Sequence, residues 1–112
     1  MKKIYICSAL RGAMEENIRK ARCFCEYVAR EHKAIPIAPH IYFTQFLSDE
    51  IAEDREFGLK AGLSLLSVCD ELWYFGDQVT RGMADEICYA LGHDIPVKYV
   101  PNINTKNIYQ KG

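Results

Sequence analysis

One glutamate, Glu86, stands where the surrounding pattern would place a catalytic carboxylate. It closes the motif Thr80-x-Gly82-x-x-x-Glu86, which follows an apolar run at residues 72–75. That run predicts a buried parallel strand that ends at Gly76, with a helix beginning within a few residues. Open α/β sheets bind ligands in crevices outside the carboxyl ends of such strands. We therefore expect Glu86 in the first turn of a helix that points at a crevice, where the helix dipole favours the ionised form that a nucleophile needs.

Two neighbours of Glu86 are further candidates. Asp77 follows Gly76 at the end of the predicted strand, which favours it as a second functional carboxylate. Thr80 is a natural N-cap of the predicted helix, a role that is compatible with a contact to a phosphate. A purely structural interpretation of Glu86 stays open at this point, because the dipole favours acidic residues in the first turn of any helix.

A second polar segment joins the first predicted strand to the first helix through Ser8, Arg11 and Gly12. Backbone N–H groups at the start of that helix, together with the Arg11 guanidinium, would hold a phosphate. The segment is neither a P-loop nor a GxGxxG fingerprint. The alternative is that Arg11 is a solvated loop residue without a ligand.

The third segment, residues 39–46, is rich in aromatic side chains. His40 is either an acid/base group or a hydrogen-bonded loop residue. Tyr42, with Phe43 and Phe46, either stacks on a nucleobase or seals the loop onto the core. In a parallel sheet, this segment should meet residues 8–13 and 76–86 at the carboxyl edge.

Composition and charge exclude several classes of function. The chain has 112 residues, enough for one domain with its own core. Its net charge of −1 argues against a nucleic-acid polymer as partner, since no basic excess displaces counterions, and a small anionic ligand suits it better. The five cysteines have no CxxC or Cys/His spacing, so we expect a reduced, cytoplasmic protein without a metal or cofactor. No apolar run reaches membrane-spanning length, and no signal peptide is apparent.

Hydrophobic periodicity predicts alternating strands and helices. Strands are expected at 3–8, 34–38, 72–75 and 95–100, with helices at 13–32 and 81–91 and a third helix that Ser48 or Asp49 caps and whose apolar face is Leu59, Leu63 and Leu66. Residues 39–46 are expected to be a loop, residues 101–112 a polar arm, and Pro36 part of a sheet edge. We predict a single three-layer αβα domain, Rossmann- or flavodoxin-like, with a mainly parallel sheet of four or five strands.

Three stretches of the sequence resemble the nucleoside 2-deoxyribosyltransferase-like superfamily. They are Tyr5-Ile-Cys-Ser-Ala-Leu-Arg-Gly12, Cys69-Asp-Glu-Leu-Trp73 and Thr80-Arg-Gly-Met-Ala-Asp-Glu86. The chain looks most like small bacterial and mobile-element members of that group. The related deoxynucleoside 5′-monophosphate glycosidases share a Tyr…Arg-Gly first loop and a Ser-x-Gly-x-x-x-Glu motif. The resemblance implies the superfamily's α/β fold over most of residues 3–100.

Matched residue by residue, the resemblance implies roles for individual side chains. Glu86 falls on the nucleophile and Tyr5 on the tyrosine that holds it. Thr80 falls on a phosphate-binding serine, and Arg11-Gly12 on the same Arg-Gly pair. At Gly62 the sequence departs from an aspartate that helps to protonate the leaving base in characterised enzymes. The remaining residues expected at the site are Ser8, His40, Tyr42, Gly76, Gly82 and Met83 around the substrate and Asp77 as a second catalytic carboxylate.

The resemblance implies an enzyme that breaks the N-glycosidic bond of a (deoxy)nucleoside or its 5′-monophosphate through Glu86. The candidates for protonating the leaving base in the absence of the aspartate are Asp54, Glu56, Asp77 and His40. The alternative is a non-catalytic module that binds or senses a nucleotide, and a third candidate, an NAD-cleaving enzyme, needs room for a dinucleotide. We also expect a homodimer or larger homo-oligomer in which Asn102 or Asn104 completes the neighbour's site.

Overall fold

Four short apolar segments pair into one parallel sheet. The structure, a computed structural model, describes residues 1–105, in which the strands are β1 (Lys3–Cys7), β2 (Ile35–Ile37), β3 (Glu71–Phe75) and β4 (Val97–Val100). They lie in the order β2-β1-β3-β4, and all three pairs are parallel. The predicted α/β class with a parallel sheet is therefore confirmed, and the sheet has four strands where four or five were expected.

Helices connect the parallel strands along the chain. Residues 1–105 contain four helices: α1 (Met14–His32), α2 (Pro39–Phe43), α3 (Ala52–Leu66) and α4 (Arg81–Gly92). From β1 the chain crosses to β2 on one side, whereas β3 and β4 lie on the other side of β1. The strand order thus reverses between β1 and β3, and this is the switch point at which open α/β sheets form a ligand crevice.

Alternation along the strands divides the core into two clusters on opposite faces of the sheet. Ile4 and Ile6 of β1 pack on the face that α1 covers, where Phe24 of α1 stacks on Phe75 with ring centroids 4.5 Å apart. The opposite face of the sheet packs against α3 and α4. The buried residues of this second cluster include Tyr5, Cys7 and Leu72 from the strands, Leu66 from α3, and Met83 and Ala90 from α4. Successive strand residues point to opposite faces, so the sheet is the middle of three layers. Tyr5 consequently points toward α3 and α4.

The segment after β2 forms a short helix, whereas we predicted a loop there. Pro39 begins the one-turn helix α2, in whose first turn its missing N–H group costs no hydrogen bond. Thr44 Oγ1 donates to the His40 carbonyl oxygen over 2.7 Å. A helix of five residues is too short for an apolar period to be visible in the sequence.

The start of α3 also differs from its prediction. Ile51 precedes the helix and offers no side-chain cap. Ser48 Oγ instead accepts a hydrogen bond from the Glu50 N–H over 3.3 Å, and Asp49 forms an ion pair with Arg11. Of the predicted apolar face, Leu66 is buried but Leu59 is exposed, because the helix turns that side toward a cavity.

The edge of the sheet agrees with its prediction. Pro36 lies in β2, an edge strand of three residues, opposite Ile4 of β1. Residues 101–105, the described part of the predicted polar arm, follow β4 without a helix or strand. The rest of that arm lies outside the described residues. No helix in the described part of the chain has the length and apolar character needed to cross a membrane.

Candidate functional site

A cavity of about 350 Å³ lies at the switch point between β1 and β3. Its walls come from the β1–α1 loop, from α2 and the loop after it, and from one face each of α3 and α4. The lining residues that bear on its chemistry are Tyr5, Ser8, Arg11, His40, Asp49, Asp54, Arg55, Gly58, Gly62, Thr80, Arg81, Gly82, Met83, Asp85 and Glu86. Its size is that of a pocket for a small molecule.

The central contact of the cavity joins Tyr5 and Glu86. Tyr5 Oη donates a hydrogen bond to Glu86 Oε2 over 2.5 Å. Burial raises the pKa of Tyr5, and the negative charge of Glu86 raises it further. The phenol therefore stays protonated and serves as a permanent donor to the carboxylate. The strand alternation that points Tyr5 toward α4 makes this pair possible.

The position of Glu86 in α4 and the direction in which its pKa is shifted both differ from what we predicted. It is the sixth residue of α4, which begins at Arg81, so it lies in the second turn and not in the first. Burial raises the pKa of Glu86; the hydrogen bond from Tyr5 and the neighbouring Cys7 thiol oppose this shift, and the charge of Asp85 adds to it. Removal from water therefore outweighs these opposing contacts. The helix dipole does not compensate, because its effect is confined to the first turn. A carboxylate in this environment is poorly solvated, which suits a nucleophile.

Cys7 forms part of the same buried group. Its Sγ lies 3.7 Å from the Met83 carbonyl oxygen, to which it donates. Burial raises the pKa of the Cys7 thiol, and Glu86 raises it further by its charge. Cys7 thus stays a neutral thiol that packs beneath Glu86.

The start of α4 confirms the prediction that Thr80 is its N-cap. Thr80 Oγ1 accepts a hydrogen bond from the Met83 N–H over 3.2 Å. The hydroxyl hydrogen of Thr80 is not used in this bond, and the early N–H groups of a helix have no partner within it. Arg81 and Gly82 follow on the cavity wall. This end of the cavity therefore has the donors and the dipole direction that suit an anion.

The β1–α1 loop brings Ser8 and Arg11 to the cavity, whereas Gly12 does not line it. Gly12 has a φ of +96°, a conformation that favours glycine and that turns the chain into α1. Asn17 Nδ2 donates to the carbonyl oxygens of Leu10 and Arg11 and so fixes this loop. Arg11 Nε lies 2.9 Å from Asp49 Oδ2.

His40 lies on the wall formed by α2. Its Nε2 lies 3.3 Å from Ser8 Oγ, so the two predicted segments meet here. Burial lowers the pKa of His40 to about 4. The ring is consequently neutral at neutral pH and cannot donate the proton of an imidazolium.

Three other predicted site residues are not brought to this cavity. Gly76, with a φ of +101°, turns the chain so that Asp77 lines a second cavity of about 190 Å³ beside Lys20 and Tyr99. Tyr42 is 61% exposed and packs against Phe43 and Phe46 on the outside of α2. Of the proposed proton donors, Glu56 forms an ion pair with Lys60 at the surface.

The α3 wall contributes Asp54 and Gly62, which the sequence analysis considered, and Gly58, which it did not assign to a site. Asp54, Gly58 and Gly62 recur every four residues and share one face of the helix. A methyl group at Gly62 would lie 3.3 Å from Tyr5 Oη, whereas one at Gly58 would meet nothing within 4 Å. The four-residue spacing is visible in the sequence and indicates a shared helix face. Whether that face lines the cavity depends on tertiary packing.

Asp54 and Arg55 also order the loop before α3. Asp54 Oδ2 accepts a hydrogen bond from the Ser48 N–H over 3.0 Å. Arg55 Nη1 donates to the Asp49 carbonyl oxygen over 2.9 Å. Within residues 1–105, no group of three or more His, Cys, Asp or Glu side chains is arranged to hold a metal ion.

The fold and sequence are similar to those of known proteins. The family model described as Domain of unknown function (DUF7768) matches residues 2–100. No curated protein matches the chain. Among solved structures, a 2-deoxyribosyltransferase from the psychrotolerant bacterium Bacillus psychrosaccharolyticus has a TM-score of 0.67 and 22% sequence identity, over 88% of this chain and 72% of that one. The two share a fold, and because the family model spans nearly the whole sequence, the chain belongs to the family described as Domain of unknown function (DUF7768).

Proposed function

We propose that the protein breaks the N-glycosidic bond of a (deoxy)nucleoside or its 5′-monophosphate, with Glu86 as the nucleophile. The observation that carries this proposal is the 2.5 Å hydrogen bond from Tyr5 to Glu86 at the wall of a cavity of about 350 Å³. The fold shared with a 2-deoxyribosyltransferase supports it. The position of the pair at the switch point of the sheet, where such folds bind their ligands, supports it further.

In the proposed first step, a Glu86 oxygen attacks the anomeric carbon of the sugar. The bond from that carbon to the base nitrogen breaks, its electron pair leaves with the base, and the base takes up one proton. A glycosyl ester of Glu86 results, with the retaining logic of sugar hydrolases. In the second step, water attacks the same carbon and loses a proton, while the bond from that carbon to the Glu86 oxygen breaks and its electron pair restores the carboxylate. The sugar is released; in transfer, a nitrogen of a second base attacks in place of water. Hydrolysis and transfer share the first step.

Tyr5 acts as a positioning residue in this scheme. Its hydroxyl holds Oε2 of Glu86, so Oε1 is the oxygen that we assign to the attack. Since the phenol stays protonated, it stabilises the carboxylate before the reaction. A single oriented carboxylate oxygen lowers the entropic part of the barrier.

The start of α4 suits the 5′-phosphate of a substrate. Thr80 offers a hydroxyl hydrogen, and the helix offers N–H groups and the positive end of its dipole. Arg11 and Arg81 line the same cavity and bring positive charge to it. These features favour a phosphorylated substrate. They therefore also favour hydrolysis over transfer, since the related enzymes that act on 5′-monophosphates are glycosidases.

Asp54 and His40 are the candidates for protonating the leaving base that line the cavity. A neutral His40 is a weak acid, and Asp54 Oδ2 already accepts a hydrogen bond from the Ser48 N–H. Gly62 has no side chain at the position that the resemblance assigns to an acid. A positioned acid or base contributes about 10²–10⁴-fold, so we expect a slow enzyme.

The lack of an acidic side chain at Gly62 also favours a second candidate function. In this case the protein would be a module that binds or senses a nucleotide without efficient chemistry. Such a module needs contacts to the phosphate and the base but no proton donor. It would therefore use the same cavity.

Incubation with a panel of nucleosides and their 5′-monophosphates, followed by chromatography of the free base, tests the proposal. We expect base release by the wild type and none by Glu86→Gln, which keeps the shape of the side chain and removes its charge. Release by Glu86→Gln at the wild-type rate would refute the role of Glu86. Binding without release by either protein would favour the sensing module.

We also propose that the protein is a cytoplasmic homo-oligomer with the cavity near the subunit interface. Tyr42 and Phe46 are about three-fifths exposed and form one aromatic cluster with Phe43 and Phe57. Exposed apolar patches of this kind often mark contacts with other proteins. All five cysteines are free thiols, which suits a reducing compartment.

A further inference from the structure

An ion pair joins two segments of the cavity wall that are distant in sequence. Arg11 Nε, in the β1–α1 loop, lies 2.9 Å from Asp49 Oδ2, in the loop between α2 and α3. Both residues line the main cavity. The Arg11 side chain is 69% exposed and that of Asp49 only 20%. The guanidinium that faces the cavity therefore has a carboxylate from the protein itself as its partner.

The two partners are held to different degrees. The backbone of Asp49 is anchored by Arg55 Nη1, and the preceding residue is anchored through the Ser48 N–H to Asp54. These bonds to α3 thus anchor the backbone that carries the Asp49 carboxylate, whereas the Arg11 side chain is mostly exposed and has room to change partner. An acceptor on an anchored backbone beside an exposed donor is an arrangement in which another anion can compete.

We propose that Asp49 is a specificity-determining residue that competes with the substrate's phosphate for Arg11. A phosphate dianion offers more negative charge and more acceptor oxygens than a carboxylate and can displace Asp49. An uncharged ligand leaves the Arg11–Asp49 pair intact, and a singly charged one competes poorly. Asp49 thereby sets the threshold at which the cavity accepts an anionic group. This inference rests on the phosphate-binding part of the proposed function.

Calorimetric titration with 2-deoxyribose 5-phosphate and with 2-deoxyribose tests the proposal. Both probes lack a base and an N-glycosidic bond, so their binding is independent of catalysis. We expect Asp49→Asn to bind the phosphate about two- to fivefold more tightly, since exposed ion pairs are weak, and to bind the free sugar unchanged. The substitution keeps the backbone carbonyl that Arg55 contacts, and thermal unfolding verifies that the fold is intact.

Two controls separate competition from a general effect of charge. Glu50→Gln removes the same charge one residue away from a side chain that is exposed, and we expect it to change phosphate binding little. In an Arg11→Ala background, the effect of Asp49→Asn should disappear, as a double-mutant cycle requires for a direct coupling. Weaker phosphate binding by Asp49→Asn, an equal gain in Glu50→Gln, or a gain that persists without Arg11 would each overturn the proposal.

The outcomes for this inference and for the catalytic proposal are distinguishable. Base release from nucleosides together with no phosphate binding by any variant overturns the role of Asp49 and leaves Glu86 as the nucleophile. The expected shift in binding without any base release supports the role of Asp49 and refutes the enzyme.

Discussion

Gly62 of α3 lies so close to the hydroxyl of Tyr5 that an added methyl group would require one of them to shift. A methyl group at Gly62 would lie 3.3 Å from Tyr5 Oη, and the same hydroxyl lies 2.5 Å from Glu86 Oε2. A contact of 3.3 Å is tighter than most that a β-carbon makes, so one of the two groups would have to shift. The absence of a side chain at Gly62 is thus linked to the geometry of the carboxylate.

Gly62→Ala should therefore lower the rate of base release by about tenfold to a hundredfold, because small misplacements of reacting groups are costly. Gly58→Ala is the matched control, since the added methyl meets nothing within 4 Å and both glycines lie within α3. We expect Gly58→Ala to keep its activity and to gain up to about 1 kcal/mol of stability from helix propensity. Steady-state kinetics and thermal unfolding of both variants provide the comparison. Similar activity in the two variants would contradict the role of Gly62.

Glu86→Gln should stabilise the fold while it abolishes activity. Burial raises the pKa of Glu86 in the folded state, so the native protein binds this proton more tightly than the unfolded chain does. Its contribution to stability is fully present below the unfolded pKa and is lost as pH rises through the folded pKa. The Tm of Glu86→Gln relative to wild type should therefore increase as pH rises above the ordinary pKa of a glutamate, about 4.3. A difference in Tm that does not vary with pH would argue against the raised pKa.

Tyr5→Phe should move the acidic limb of the pH–rate profile to higher pH. The hydrogen bond from Tyr5 lowers the pKa of Glu86, so its loss raises that pKa and protonates the nucleophile over a wider range. We also expect a loss of about 1–3 kcal/mol in the free energy of unfolding, because a buried acceptor loses its donor. Kinetics over a range of pH values measure the first effect and denaturant unfolding the second. An unshifted acidic limb would mean that Tyr5 does not tune Glu86.

Arg11→Ala should weaken the binding of a 5′-monophosphate by about tenfold and that of the parent nucleoside little, because a charge-assisted hydrogen bond to phosphate is lost. Titration calorimetry with Glu86→Gln as the background allows both ligands to be measured without turnover. If both ligands weaken equally, Arg11 supports the loop and does not contact the phosphate.

Light scattering during gel filtration should give the mass of a dimer or a larger oligomer at micromolar concentration. Phe46→Ser should shift the mass toward the monomer, because Phe46 is 58% exposed within the aromatic cluster. Leu91→Ser, at an exposed position in α4 outside that cluster, is the control. A wild-type protein that is monomeric throughout would rule out the proposed assembly.

Local patterns were sufficient to predict most of the fold. The strand runs and the period of α1 are local signals that tertiary packing reinforces, and Thr80 caps α4 as its residue type predicts. The helix α2 was missed because one turn shows no period. Likewise, Ser48 or Asp49 was predicted to cap α3, but Ser48 Oγ accepts from the Glu50 N–H and Asp49 pairs with Arg11.

The site was predictable in outline and less so in detail. Tyr5 and Glu86 belong to elements whose directions follow from the strand and helix periods, and they do meet. Asp77 was not predictable in the same way, because the positive φ of Gly76 decides which side of the sheet edge receives it. The wall formed by Gly58 and Gly62 depends on how α3 packs on the sheet, which no local pattern specifies.

The edge strand β2 hinders the addition of a further strand to the sheet. The Ile35 N–H donates to the Lys2 carbonyl oxygen over 2.8 Å, so the next residue, Pro36, occupies a position whose N–H would face away from β1. Proline has no such group, and an incoming strand would find a donor missing from an edge of only three residues. Strand addition on this side is thereby discouraged, which protects a small domain against fibrillar stacking while leaving its helical faces available for ordered contacts.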